Sequence, residues 1–436
     1  MNPFSEFSGN QEVLAELLKK KGTGPKANKV LPEAVIQNLN TLLLDPQILP
    51  ITRAAFLTAL YMLQAGPLES DWLRNFLSSA TLLDDPLLKL LRNPKPDPLE
   101  FKIAKVLDFR DLNYQEAREV AEAGFSGSLH PILFAAFLEG QRLKGETHQE
   151  NMAFFEVMWN QAQRVQTNLP LIIDLADSYD GCNRTRSYTP FIAALLGSCG
   201  YPTICHSPIN MGPKWGVTSE QILRACHKKT QRSLKQTEDE LLRTDIQWSF
   251  ATQEVFNPGL MAFKQLRTEM VKRPFISTFE KLLQPLRAIN GNHIVVGYTH
   301  TPYRDKVAKI LLEDPQTPAA IIMRGTEGST QISMNKSTLF SCVKANSISQ
   351  GQVEPTEFGL ESLNITPDKS LTAQDSAEAG LGALRGEKGP AREHMLYFCS
   401  FILDQFELES KPNAMVKLKH SLDAGIALSH FEKGCV

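Results

Sequence analysis

The sequence predicts an α/β protein: an N-terminal helical domain preceded by an extra helical copy, then an α/β domain with a mainly parallel central sheet. Three observations carry that expectation. The first is an internal repeat. Residues 31–57 end in Pro-Ile-Thr-Arg-Ala-Ala-Phe-Leu and residues 112–138 end in Pro-Ile-Leu-Phe-Ala-Ala-Phe-Leu, with Pro50 and Pro131 each 19 residues after a leucine, Leu31 and Leu112. Each copy reads as two helices broken at the proline, with a small-residue ridge suited to close helix packing. The second is alternation: apolar runs at 169–175, 201–206, 292–298 and 319–325 are interleaved with helical patterns at 191–200 and 304–312. Strand–helix alternation of this kind gives a sheet covered on both faces. The third is size. The 436 residues, 42% hydrophobic and 22% charged, can bury a large core in two or three domains.

In chain order, residues 12–21 form a short amphipathic helix. The Gly-Thr-Gly that follows at 22–24 comes after a lysine-rich helix rather than a strand, and reads as a linker, not a phosphate loop. Asn-Pro-Lys-Pro-Asp-Pro at 93–98 marks a boundary, giving 1–98 as the additional helical region, 99–166 as a helical domain and 167–436 as the α/β domain. A helix is expected to run to about 165, and 219–243 reads as one long basic helix. Residues 334–380 are Ser, Thr and Gln rich, a strand-and-loop excursion. Helices return at 395–406 and 414–433.

The stretch after the first apolar run concentrates the chemistry. It reads Asp-Ser-Tyr-Asp-Gly-Cys-Asn-Arg-Thr-Arg-Ser-Tyr-Thr over 177–189, then Pro190 and an apolar helix, with Thr189 expected as N-cap. Such a loop feeds a helix N-terminus, which offers free N–H groups and a positive dipole end to anions. Arg184 and Arg186 add two guanidinium forks suited to phosphate; the plainer reading is an ordinary connection with solvated arginines. Asp174, Asp177 and Asp180 fall at spacing three, as solvated or ion-paired loop acids or as a magnesium cluster.

Charge is unevenly spread. Residues 181–350 hold 21 Lys and Arg against 12 Asp and Glu, a balance of +9, which leaves −11 for the remainder of a chain whose net charge is −2. Much of the excess sits in two runs: Arg224, Lys228, Lys229, Arg232 and Lys235, then Lys264, Arg267, Lys272 and Arg273. A basic middle points to an anionic partner, a phosphorylated small molecule or nucleic acid; the alternative is two solvated helix faces. Other classes find no support. No apolar run is long enough to span a membrane and no signal peptide opens the chain. Seven scattered cysteines without a C-x-x-C pair fit a cytoplasmic protein. The nine histidines lack metal spacing, and no G-x-S-x-G elbow is present.

Five blocks in order resemble the anthranilate phosphoribosyltransferase family, glycosyltransferase family 3. They are Leu-Asn-Tyr-Gln-Glu-Ala at 112–117 with Ala-Ala-Phe-Leu and Lys-Gly-Glu-Thr; Asp180-Gly181 through Thr189; Val-Phe-Asn-Pro-Gly-Leu-Met at 255–261; Arg324-Gly-Thr-Glu-Gly; and Arg-Gly-Glu-Lys-Gly-Pro-Ala-Arg at 385–392. The resemblance implies a nucleoside phosphorylase/phosphoribosyltransferase-like fold, a dimer through the helical domain, and phosphoribosyl pyrophosphate bound with Mg2+. It places a phosphorylated ligand on Asp180, Gly181, Arg184, Arg186, Thr189, His206, Lys214 and Arg324. The chain departs from the family where chemistry is done. The family's Gly-Thr-Gly-Gly-Asp-Gly reads Ala-Asp-Ser-Tyr-Asp-Gly at 176–181, so Tyr179 crowds a cradle that glycines leave open. Its Lys-His-Gly-Asn-Arg reads Cys-His-Ser-Pro-Ile at 205–209, and its magnesium-holding Asp-Glu pair falls on Thr330-Gln331. These departures argue against phosphoribosyl anthranilate as product. They leave a related pentosyl transfer, or a nucleic-acid-binding paralogue using Lys228, Lys229, Arg232, Lys264, Arg267, Lys272 and Arg273; a branch of the family with altered donor motifs binds nucleic acid.

Overall fold

The structure, a computed structural model, describes residues 9–79, 84–364 and 370–436. The chain forms two compact units, residues 1–161 with 262–277 and residues 162–261 with 278–436.

The first unit is helical: α1 (Gly9–Lys21), α2 (Glu33–Leu44), α3 (Pro50–Met62), α4 (Pro67–Ser79), α5 (Pro86–Arg92), α6 (Pro98–Leu107), α7 (Tyr114–Ser126), α8 (Pro131–Lys144) and α9 (His148–Gln161). The repeat is realised as two helix pairs, α2–α3 and α7–α8, and the two Ala-Ala-Phe-Leu ridges meet because α3 packs directly on α8. Small side chains permit that approach; Ala54, Ala55, Ala135 and Ala136 are fully buried. The expected boundary at 98 lies inside this unit, where Asp97 caps α6 and α6 packs on α8. Segment 262–277 completes the core by setting Phe263 edge-on to Phe125 and Phe134, and Phe275 edge-on to Phe154.

The second unit holds a seven-stranded sheet and a separate parallel pair, β1 (Val165–Gln166) with β5 (Leu286–Arg287). The main sheet comprises β2 (Ile172–Ala176), β3 (Thr203–Ser207), β4 (Trp248–Thr252), β6 (Asn292–Gly297), β7 (Ala319–Met323), β8 (Thr338–Lys344) and β9 (Ser347–Val353), in spatial order β4-β3-β2-β6-β7-β8-β9. The first five are parallel; β8 and β9 form an antiparallel hairpin at one edge. β2 to β4 are buried throughout, as a sheet covered on both faces requires. Helix α10 (Thr189–Ser198) lies among β3, β4 and the C-terminal helices, with Phe191 and Trp248 both stacked on Phe431.

Two local expectations change. The span 219–243 is not one helix but α11 (Ser219–Ala225) and α12 (Leu234–Leu242), each opened by a capping box, Thr218 with Gln221 and Ser233 with Gln236. The expected 414–433 helix is broken where Gly425 takes a left-handed conformation, giving Lys411–Asp423 and Ile426–Cys435.

Candidate functional site

The chain leaves β2 toward β3 and β4 on one side and returns to β6 and β7 on the other. In a parallel sheet the crevice beyond the strand C-termini at such a reversal is where ligands bind. The loops converging there follow β2 (177–188), β3 (208–218) and β7 (324–337).

Asp174 at the middle of β2 and Asp177 and Asp180 in the first loop take separate partners, so they form no cation cluster. Asp174 accepts from His206 Nε2 at 2.9 Å, and His206 Nδ1 lies 2.7 Å from the Tyr179 hydroxyl. One buried hydrogen-bonded chain thus links Tyr179, His206 and Asp174. Tyr179, in place of a family glycine, thereby fills its own loop. Asp177 accepts from the Thr189 hydroxyl at 2.7 Å and from the amides of Ser178 and Thr330 at 2.8 and 3.1 Å. Asp180 accepts from the Ser178 hydroxyl at 2.6 Å, with Lys214 Nζ 3.5 Å away. Thr189 is therefore not the N-cap: that position falls to Tyr188, which makes no side-chain cap bond, and the Thr189 hydroxyl serves Asp177 instead. Gly181, at φ +70°, lets the loop touch its neighbour; a Cβ there would sit 2.5 Å from the Gly216 backbone.

Thr330 and Gln331, where the family resemblance places a carboxylate pair, are uncharged and buried. Gln331 Nε2 donates to the Thr189 hydroxyl at 2.9 Å, and its Oε1 accepts from the Tyr188 amide at 3.1 Å. The nearby Asp177 charge is already met by three donors. Mg2+ is commonly anchored by one or two carboxylates besides waters and substrate phosphates; Thr330 and Gln331 supply none, Asp177 is occupied by its own donors, and no group of three or more His, Cys, Asp or Glu among the described residues could hold a metal.

Glu327 is the carboxylate that sequence reasoning missed. Its side chain is 3% exposed and accepts from the amides of Asn183, Arg184 and Thr185 at 3.0, 2.8 and 3.1 Å, and from the Thr185 hydroxyl at 3.0 Å. Burial alone would raise its carboxyl, but these donors and the Lys214 charge outweigh it and hold the group below the ordinary value. The residue has φ +57°, a left-handed conformation that an L side chain adopts at a cost of about 1 kcal/mol or more. Lys214 Nζ binds its carbonyl at 3.0 Å.

Around this turn opens a cavity of about 1160 Å³. Arg184, Arg186, Arg324 and Lys336 line it, with Tyr188 and Met334 among its apolar contributors and Glu327 as its carboxylate. The side chains of Arg324 and Lys336 make no ion pair with any described residue. Of the residues expected from sequence, Arg184, Arg186 and Arg324 come together here. Asp180 and Lys214 pair beside the Glu327 turn. His206 and Thr189 face inward, and Gly181 serves packing. Lys336 was not anticipated, because its neighbourhood reads only as a polar excursion.

The two basic runs are largely consumed internally. Lys228 is buried against Glu240 at 2.8 Å, the Gly434 carbonyl and the Trp248 ring. Arg232 reaches the same Glu240, Arg224 pairs with Glu220, and Lys235 with Glu238 and Asp239. Arg267 is 2% exposed and donates to Ser277; Lys272 donates to the Lys19 carbonyl; Lys264 and Arg273 are also partnered. Lys229 is exposed. Neither run presents the continuous basic face that nucleic-acid binding was expected to use.

Comparison with known proteins agrees with this architecture. Residues 102–162 match the glycosyl transferase family, helical bundle domain. An uncharacterized protein of Aquifex aeolicus is 29% identical over 312 residues, 69% of this chain and 90% of the relative. The anthranilate phosphoribosyltransferase of Nitrosomonas europaea is 26% identical over 67% of this chain and 84% of its own length. Among solved structures, the anthranilate phosphoribosyltransferase (TrpD) of Thermus thermophilus superposes with a TM-score of 0.64 at 18% identity, covering 77% of this chain and 98% of that one. The Saccharomyces cerevisiae enzyme in complex with PRPP and Mg gives 0.64 at 15%, covering 77% and 96%. With the helical bundle and the mainly parallel α/β unit in place, the chain shares the fold of the anthranilate phosphoribosyltransferases and is similar to them in sequence over about two thirds of its length.

Proposed function

We propose that the second unit binds a phosphorylated pentose donor in the Arg184–Arg186–Arg324–Lys336 cavity and takes part in pentosyl transfer to an acceptor other than anthranilate. The observation that carries the reading is the collection of three guanidinium groups and one ammonium around a cavity whose own carboxylate is already engaged by backbone donors. Guanidinium forks match phosphate oxygens in pairs, and a relative of the same fold is described in complex with PRPP and Mg. Pentosyl transfer develops positive charge on the sugar as the phosphate leaves, so positioning and electrostatics do most of what is required. The altered residues at 176–179, 205–209 and 330–331 support a change of acceptor and binding without a divalent cation.

Calorimetric titration with phosphoribosyl pyrophosphate, with and without Mg2+, tests this. Binding is expected in both conditions, weakened about 10-fold or more by Arg324→Ala, since a charge-assisted hydrogen bond contributes about 1.5–3 kcal/mol. Absence of binding at millimolar donor, or an unchanged affinity in Arg324→Ala, would overturn the proposal.

A further inference from the structure

We propose that the successive amides of Asn183, Arg184 and Thr185, with the Thr185 hydroxyl, form a phosphate subsite that Glu327 occupies in the ligand-free protein, and that an anionic ligand binds by exchanging with the Glu327 carboxylate. The inference deepens the proposed function, since it concerns the same cavity. Consecutive backbone N–H groups converging on one point make a concave anion site. Here they converge on two oxygens of one carboxylate, with distances of 2.8 to 3.1 Å from three amides and one hydroxyl. A carboxylate presents two of the oxygens that a phosphate would present, at similar spacing and with the same sign of charge.

Two further observations favour exchange over a purely structural role. Glu327 and Thr185 both line the cavity, together with Arg184 and the unpaired Arg324, so an anion reaching those cations lies beside the cradle. Glu327 also reaches the cradle from a left-handed backbone within a turn flanked by glycines. Gly328 is at φ +79°, and a Cβ on Gly325 would sit 1.8 Å from the Ser329 carbonyl oxygen. The four hydrogen bonds to the Glu327 carboxylate help to hold the turn in this disfavoured conformation, so an anion that replaces them releases part of that strain. The amides that lose Glu327 are then satisfied by the incoming phosphate, leaving no orphaned donor in either state.

The test uses the full-length protein with inorganic pyrophosphate as probe, read by titration calorimetry and by hydrogen–deuterium exchange of the segment containing residues 183–185. Glu327→Gly removes the carboxylate and suits the left-handed backbone; Glu327→Gln keeps shape while removing charge. In Glu327→Gly, exchange at 183–185 is expected to accelerate without ligand and slow again with pyrophosphate, and pyrophosphate should bind at least 10-fold more tightly than to the native protein. Glu327→Gln should move the affinity in the same direction by less, and it decides the matter if the glycine variant fails to fold. Equal affinity in the native protein and the variants, or tighter binding without renewed protection at 183–185, overturns the inference. The two proposals fail separately. Native binding of phosphoribosyl pyrophosphate that depends on Arg324 but is indifferent to Glu327 removes only the exchange. Reprotection of 183–185 by pyrophosphate, with no native binding of the pentose donor, removes only the proposed function.

Discussion

Replacing Gln331 by glutamate would restore one carboxylate of the family's pair, and the structure fixes what that change encounters. The amide nitrogen of Gln331 and Oδ2 of Asp177 both bond the Thr189 hydroxyl, at 2.9 and 2.7 Å. The introduced oxygen and the Asp177 charge are therefore at most about 5.6 Å apart, and at an effective dielectric of 20 two unit charges at that distance repel by about 3 kcal/mol. Repulsion raises the introduced carboxyl by about 2 units above its ordinary value. A carboxyl raised in the folded state is destabilising where the unfolded chain is ionised. The penalty is therefore absent below about pH 4, near 1 kcal/mol at pH 5, and complete by about pH 8. When protonated, the new group donates to the Thr189 hydroxyl as the amide did. Melting of Gln331→Glu should thus lie about 5–10 °C below the native protein at pH 8 and much closer at pH 5, and Mg2+ at pH 8 should recover part of the loss by bridging the two carboxylates. An equal deficit at both pH values would refute the electrostatic account and assign Gln331 a role of shape alone.

Gly181→Ala combines a left-handed backbone with a Cβ 2.5 Å from Gly216. A loss of about 2–4 kcal/mol is expected by chemical denaturation of the second unit, with faster exchange where Cys182 pairs with Val217. In the first unit, burial first and the neighbouring Arg142 second push the Lys272 ammonium down to about 8. An ammonium depressed in the folded state destabilises while protonated. The melting temperature should therefore rise between pH 7 and 9, and that rise should vanish in Lys272→Met.

Much of the architecture is legible because local signals and packing agree. Proline-opened helices with Ala-Ala-Phe-Leu ridges gave α3 and α8 directly, and the apolar runs marked β2, β3, β6 and β7. The break between α11 and α12 was also written in the chain, as Thr-x-x-Gln and Ser-x-x-Gln capping boxes at 218–221 and 233–236, but the run of basic residues masked it. What sequence does not display is where charges find partners. Lys228 is neutralised by Glu240 and by a carbonyl 206 residues away, so a charge count overstates the basic face. His206 looks like a ligand group until Asp174 and Tyr179 are seen on either side of it. Glu327 sits 144 residues from Asn183, and nothing in its Gly-Thr-Glu-Gly context signals that its carboxylate closes a distant loop.

The duplicated hairpin has a thermodynamic consequence. In two separate chains, pairing one ridge with its copy would be a bimolecular event, weakened by dilution and strengthened by concentration. Here α3 and α8 lie 81 residues apart at their opening prolines, Pro50 and Pro131, on one polypeptide, so the tether fixes their effective concentration. Pairing of the two copies is therefore a step of the chain's own folding, governed by loop closure and independent of how much protein is present.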